Sequence, residues 1–412
     1  VGVLEVTLVV ENGIVKKRYL GLVRVPDVES HVDLTSLGIA IPGAIDMHVH
    51  LRGLELSEKE DERSGTMAAA RGGITAVIDM PNTKPEVRSL EVLKEKLSSL
   101  NEKSVVDYGI FVGLPETVEE LVRMVSVEGV AGLKLYPQDL ARVRGQLIEV
   151  LSKRRILVVV HAEHPKLVRE GCSAGSRHIC RPIEAELAAI SLIARWIERA
   201  ELRVHVTHVT NSATLMYAKS IGASVDTCPQ YLYLSNEDEA ALGCIAKVNP
   251  PLRPREVVED LRRCIDILDA MTTDHAPHTI HEKCQDFDEC PPGIASADIA
   301  LQLTLNMVSK GLMFLDDVVR LWNEGPSRIV GLERWGCIDE GCVASYTLVN
   351  LKREVVVDPQ RFYSKCKLSP YAGRKLVGDV VATIVRGRIV YLDGEFYEIK
   401  GSKALSVERD AR

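Results

Sequence analysis

The sequence predicts an α/β protein: a (β/α)8 barrel joined to a small composite β-sandwich domain built from both termini. Three observations predict it. Eight short apolar runs recur through the middle of the chain, helical patterns separate them, and chemically active residues sit at the ends of the runs. The competing architecture is a doubly wound sheet of about six to ten strands, and the placement of the polar residues decides between the two.

The runs are Ala44–Val49, Ile74–Met80, Tyr108–Leu114, Val130–Leu135, Leu157–His161, Val204–His208, Ser224–Cys228 and Asp269–Thr273. They are continuously apolar rather than alternating, as strands buried on both faces are. Between them, Val87, Leu90, Leu93, Leu97 and Leu100 keep helical spacing. So do Val118, Leu121, Val122 and Val125, and then Leu187, Ile190 and Ala194 within Ile183 to Ile197. The flanks read differently. Val3 to Val10 alternates, Asn12-Gly13 makes a tight turn, and Tyr19 to Val25 follows as a second strand. Near the other end, Val377 to Tyr391 reads as strands and Asp393-Gly394 as another turn. The expected division is residues 1–43 and 336–412 for the two parts of the small domain, with the barrel over 44–335.

Composition is that of an ordinary globular chain: 46% hydrophobic and 26% charged residues. A net charge of -7 argues against a nucleic-acid surface, which needs a basic stripe. No apolar run reaches membrane-span length and no signal segment opens the chain, so a cytoplasmic setting is expected. The ten cysteines include no C-x-x-C pair. Cys172/Cys180, Cys284/Cys290 and Cys337/Cys342 are close enough for small-loop disulfides; the alternative is ten buried free thiols. Only six Gln and nine Asn occur, a scarcity seen in heat-stable proteins, some of which keep intracellular disulfides.

In a (β/α)8 barrel, catalytic groups collect at the C-terminal ends of the strands. The first run ends in His48 and His50, two apart and so on one face, with Arg52 two further along where it can hold an anion. The fourth carries Lys134, the fifth ends in His161, the sixth in His208 and the eighth in Asp274. Neutral imidazoles and a carboxylate are good zinc ligands. A single strand-end histidine is more often a core residue, but six suitable groups on five strands point to a metal centre. His205 and His208 are three apart and so face opposite sides of a regular strand; His208 is the better ligand, and His205 is expected to face the helices.

This pattern resembles the amidohydrolase superfamily, and within it the dihydroorotases. The similar stretches are Ile41–Arg52, Gly72–Thr83 with Met80-Pro-Asn82, Lys134-Leu-Tyr-Pro137, Lys247–Arg253 with Asn249-Pro-Pro-Leu-Arg253, Asp274–His278 and Ser364–Gly378. The resemblance implies zinc, one or two ions with two favoured. One would be held by His48, His50 and Asp274, the other by His161 and His208, with a carboxylated Lys134 as the bridge. It implies reversible closure of N-carbamoyl-L-aspartate to L-dihydroorotate, with Asp274 as the catalytic proton carrier. Arg52, Asn82 and His278 would grip the substrate carboxylate, and Asn249 would reach the ring. Aspartate transcarbamoylase and a second copy of the chain are the partners it leaves open.

Two rivals come from the departures. Thr227-Cys-Pro-Gln-Tyr-Leu232 is closer to hydantoinase and allantoinase patterns, which favours another cyclic-amide hydrolase. Arg52 with Asn82 weighs against it, because hydantoin-type substrates need no carboxylate clamp. A non-catalytic scaffold for the transcarbamoylase would have lost metal ligands, and here every ligand position is filled.

Overall fold

Strands form where the apolar runs lie. The computed structural model describes residues 3–332, 334–397 and 400–405. Its first elements are β1 (Val6–Glu11) and β2 (Ile14–Leu20), an antiparallel hairpin turned at Asn12-Gly13. Both turn residues have positive φ, 51° and 79°, as a two-residue turn matching strand twist requires. A short strand, β3 (Ile39–Pro42), then leads into the barrel.

The barrel strands are β4 (Ala44–Val49), β5 (Ile74–Asp79), β6 (Asp107–Gly113), β7 (Val130–Leu135), β8 (Leu157–His161), β9 (Arg203–Thr207), β10 (Ser224–Thr227) and β11 (Ala270–Met271). Each pairs in parallel with the next in chain order. The ring closes between its ends through a parallel bridge of Val49 with His275, where the His50 N–H donates to the His275 carbonyl at 2.8 Å. Every residue of β4 to β7 is buried, which explains the continuous apolar runs. Ile45, Met47, Ile78, Phe111, Ala131 and Val159 fill the barrel interior. Alternate residues such as Val77, Ile110, Leu133 and Val158 meet Leu93, Leu97, Leu121 and Ile190 of the surrounding helices. Those helices include Leu90–Lys103, capped by Ser89, Val118–Val125, capped by Thr117, and Ile183–Arg199. No helix among the described residues is long and apolar enough to cross a membrane.

A second sheet joins the two ends of the chain. Its strands are β12 (Tyr346–Val356), β13 (Lys375–Val385), β14 (Arg388–Leu392) and β15 (Glu395–Phe396), in the order β15-β14-β13-β12-β3. β3 pairs antiparallel with β12, from Ile39 opposite Val349 to Pro42 opposite Tyr346. The hairpin β1–β2 attaches through Val15 N–H to the Cys342 carbonyl, 2.8 Å, and Ala344 N–H to the Gly13 carbonyl, 2.9 Å. Leu8, Val10 and Val15 pack there with Tyr346, Leu348 and Ile384. Residues 402–405 return to the floor of the barrel: Ser402 accepts from Tyr108 N–H, Leu405 accepts from Gly129 N–H, and Leu405 joins the interior cluster. The expected small domain runs to 412; its last seven residues lie outside the described ones.

Cysteine pairing follows the short spacings twice and departs from them once. Cys172–Cys180 and Cys337–Cys342 are disulfides. Cys290 pairs with Cys244 instead of Cys284, which is exposed and free. Spacing of six misleads here because Cys284 ends the short helix Ile280–Lys283 facing solvent, whereas the loop around Cys290 folds back onto the segment before Lys247. Lys247 and Lys283 tie these loops by donating to the carbonyls of Cys290 and Cys244. The Cys244–Cys290 link closes a 46-residue separation. Chain entropy gives such a cross-link about 4 kcal/mol. Denaturant unfolding of Cys290→Ser should show most of that loss, and reductant should then have little further effect at this link; an unchanged midpoint would refute a stabilising role.

Candidate active site

Local backbone irregularities aim the strand-end side chains. On β4, Ile45 and Met47 face the interior cluster but Val49 joins the outer one, so the alternation breaks. The pairing with β5 shifts between Asp46 and Val49 at the same place. This irregularity turns His48 and His50 into the cavity. Arg52, His208 and Asp274 all have positive φ, 53°, 46° and 47°, sparsely populated values for residues with a Cβ. Each lies just past a strand end, where the left-handed turn swings its side chain toward the barrel axis.

That turn corrects the expectation for His205. A regular strand running through His208 would put His205 on the helix side, but β9 stops at Thr207. His205 pairs beside Val159 of the interior cluster and is wholly buried inside the barrel, not against the helices. Its Nε2 lies 2.8 Å from Asp226 Oδ2 and its Nδ1 2.9 Å from Ser224 Oγ.

His48, His50 and Asp274 come together. Asp274 Oδ1 lies 3.0 Å from His50 Nε2 and 3.3 Å from His48 Nε2, and one ligand atom from each of the three falls within 4.8 Å of the others. Hydrogen bonds behind them set the ring tautomers. Thr207 Oγ1 sits within 3.1 Å of both Asp226 carboxylate oxygens and donates there, so it accepts from His48 Nδ1–H at 2.6 Å. His50 Nδ1–H donates to Asn82 Oδ1, also at 2.6 Å. Both Nε2 lone pairs therefore face a carboxylate oxygen. Three electron-rich atoms in that arrangement call for a cation between them.

The other expected ligands stand across the same cavity. The His161 and His208 rings are 4.5 Å apart between centroids, and His48 and His208 are 5.2 Å apart. His161 Nε2 meets Glu163 Oε2 at 2.6 Å, which leaves Nδ1 as its free nitrogen. Glu163 is held in turn by Arg181. Although burial works against it, the hydrogen bond from His161 and the Arg181 guanidinium pull the Glu163 carboxyl down to about 2. Lys134 Nζ and His208 Nδ1 are buried without a hydrogen-bond partner. Burial pushes the Lys134 amine down to about 8, against the opposing pull of Asp274 and Asp226. Burial, with neighbouring Lys134 and the other histidines, holds His48 and His208 well below the ordinary imidazole range. Neutral rings and an unpartnered amine fit a metal site better than a structural core.

Arg52, Asn82 and Asn249 line the same cavity of about 470 Å³, together with Tyr136, Arg181 and Pro292-Gly293. Asn249 Oδ1 accepts from Arg177 Nη2. His278 stands behind Arg52 rather than on the cavity wall: its Nε2 is 3.3 Å from Arg52 Nη2 and 3.1 Å from the Pro292 carbonyl. Thr207, Asp226, Glu163, Arg181 and Lys96 are supporting residues that the motifs did not single out. One of them leaves a sequence signal. Lys96 follows Leu93 by three and precedes Leu100 by four, a lysine on the apolar face of a helix.

The model of the amidohydrolase family matches residues 39–390. A dihydroorotase of Saccharolobus solfataricus is 35% identical over 366 residues, covering 88% of this chain and 87% of that protein. A dihydroorotase of Aeropyrum pernix is 38% identical over 362 residues, covering 86% and 83%. Among solved structures, an L-hydantoinase (dihydropyrimidinase) from Arthrobacter aurescens superposes with a TM-score of 0.88 at 24% identity, over 96% of this chain and 94% of that one. At that identity the likeness speaks for the shared fold.

Proposed function

This chain belongs to the amidohydrolase family, and from that premise we propose that it is a dihydroorotase, closing N-carbamoyl-L-aspartate to L-dihydroorotate and reopening the ring in pyrimidine biosynthesis. One observation carries the reading beyond the family. The cavity that holds the His48–His50–Asp274 cluster also presents a buried guanidinium, Arg52. A planar guanidinium pairs with a carboxylate through parallel hydrogen bonds. Carbamoyl aspartate and dihydroorotate keep such a carboxylate; hydantoins and dihydropyrimidines have none to offer.

The donor set fits zinc. His48, His50 and Asp274 would hold one ion, and His161 and His208 a second. Lys134 would bridge them once its amine, kept partly neutral by burial, has taken up carbon dioxide as a carbamate. Zinc bound there supplies Lewis acidity and lowers the pKa of water to near neutrality. Arg52 fixes the substrate carboxylate and so the face of the ring turned toward Asp274. An Asp274 carboxylate oxygen accepts a proton from the attacking water and returns it to the ring nitrogen as the C–N bond breaks. In the synthetic direction it takes the proton from the carbamoyl nitrogen and delivers it to the departing water. Asn82 holds His50 in the tautomer that leaves Nε2 free. A cytoplasmic setting, self-association and a complex with aspartate transcarbamoylase belong to the same proposal; gel filtration with and without the transferase tests the last two.

The deciding assay follows carbamoyl aspartate and dihydroorotate at elevated temperature with zinc and bicarbonate present. Turnover should disappear with a chelator and return with zinc. Hydrolysis of hydantoin by metallated protein that leaves dihydroorotate untouched would overturn the proposal.

A further inference from the structure

Beneath Arg52 lies a cluster of charges that the chemistry above does not use. Lys96 projects from the inner face of Leu90–Lys103 and, like Glu62 and Asp79, is wholly removed from solvent. Its Nζ donates to the Arg52 carbonyl at 2.9 Å and to Glu62 Oε1 at 2.7 Å, and pairs with Asp79 Oδ2 at 3.0 Å. Asp79 Oδ1 accepts from the Leu51 N–H at 2.8 Å. Glu62 presses on Gly53, at φ 67°, where an added Cβ would meet Oε1 at 2.1 Å. Three consecutive residues, Leu51 to Gly53, are thus held from one side by three buried ionised groups. Burial alone would lower the lysine pKa, but the Asp79 and Glu62 carboxylates raise it above its ordinary value and keep it charged.

A leucine would suit this helix position, and exchanging a buried ion cluster for apolar residues is often neutral or stabilising. Fold stability alone therefore does not account for the Lys96–Glu62–Asp79 cluster as a whole. What the cluster does fix is the backbone of the residue whose φ of 53° points a guanidinium into the cavity. We propose that Lys96, clamped by Glu62 and Asp79, is a positioning residue for substrate-carboxylate recognition, holding the left-handed turn at Arg52. The proposal rests on the reading of Arg52 given above. Lys96 does not line the cavity, so its proposed effect on the substrate passes through Arg52.

A double-mutant cycle tests it on the zinc-loaded enzyme, with kcat, KM for dihydroorotate and zinc content measured for each protein. Lys96→Met should raise KM by about 10-fold to 100-fold, the scale of a displaced binding group, and change kcat by less than about 3-fold. Zinc content should stay at the unmutated level. Arg52→Met should raise KM by on the order of 10²-fold, and adding Lys96→Met to it should raise KM no further. An unchanged KM in Lys96→Met, or a full additional factor on the Arg52→Met background, overturns the proposal and leaves the Arg52 reading standing. An unchanged KM in Arg52→Met sinks both. Should Lys96→Met fail to fold, Glu62→Gln, which keeps the shape and removes one charge, is put through the same cycle with the same expected outcomes.

Discussion

Asp274→Asn should lower kcat by about 10³-fold or more, within the range that a positioned acid-base group supplies, while most of the zinc stays bound. The side-chain amide keeps an oxygen where Asp274 Oδ1 now lies, 3.0 Å and 3.3 Å from His50 Nε2 and His48 Nε2. Two imidazoles and that oxygen still make a ligand set. What the amide cannot do is take a proton from water at neutral pH and give it back to nitrogen. Metal analysis beside steady-state rates in both directions separates the two roles. Near-normal turnover would refute Asp274 as the proton carrier, whereas loss of zinc in step with activity would reduce it to a ligand.

The second large effect belongs to the other side of the cavity. His161→Ala should remove one of two zinc equivalents and cut turnover by on the order of 10³-fold, about 4 kcal/mol of barrier. The cluster of His48, His50 and Asp274 is untouched by this change and should keep its own ion. Glu163 would lose the imidazole at 2.6 Å but retain Arg181, so its buried charge stays compensated and the fold should survive. A variant with full zinc and full rate would show that His161 is no ligand.

The strands and the strand-end residues are legible because buried parallel strands write themselves as unbroken apolar runs, and five of the eight carry a ligand-type residue at or just past their C-terminal end. Val130–Leu135 and Leu157–His161 were placed to the residue. Reading failed where local geometry breaks the simple period. Strand parity puts His205 on the wrong face because a single left-handed residue, His208, ends the strand early. Spacing pairs Cys290 with the nearer cysteine because it says nothing of which loops fold together. Glu163 meets His161 two residues away, yet a carboxylate beside a histidine is common in any sequence. Asp226 and Lys96 support residues 19 and 44 positions away, respectively, through contacts that only the closed barrel creates.

The pairing of β3 with β12 bears on the order in which this protein is assembled. Ile39 finds its partner at Val349, so the strand leading directly into His48 and His50 has no neighbour on that side until most of the chain exists. Contacts of such long range are slow to form, because the loop they close must first give up its freedom. On a ribosome, the barrel strands emerge and pair in sequence while the entry to the first of them stays unanchored. The first two expected ligands should therefore be the last to settle, and a nascent chain halted before Tyr346 should take up zinc poorly even with all six expected ligands already synthesised.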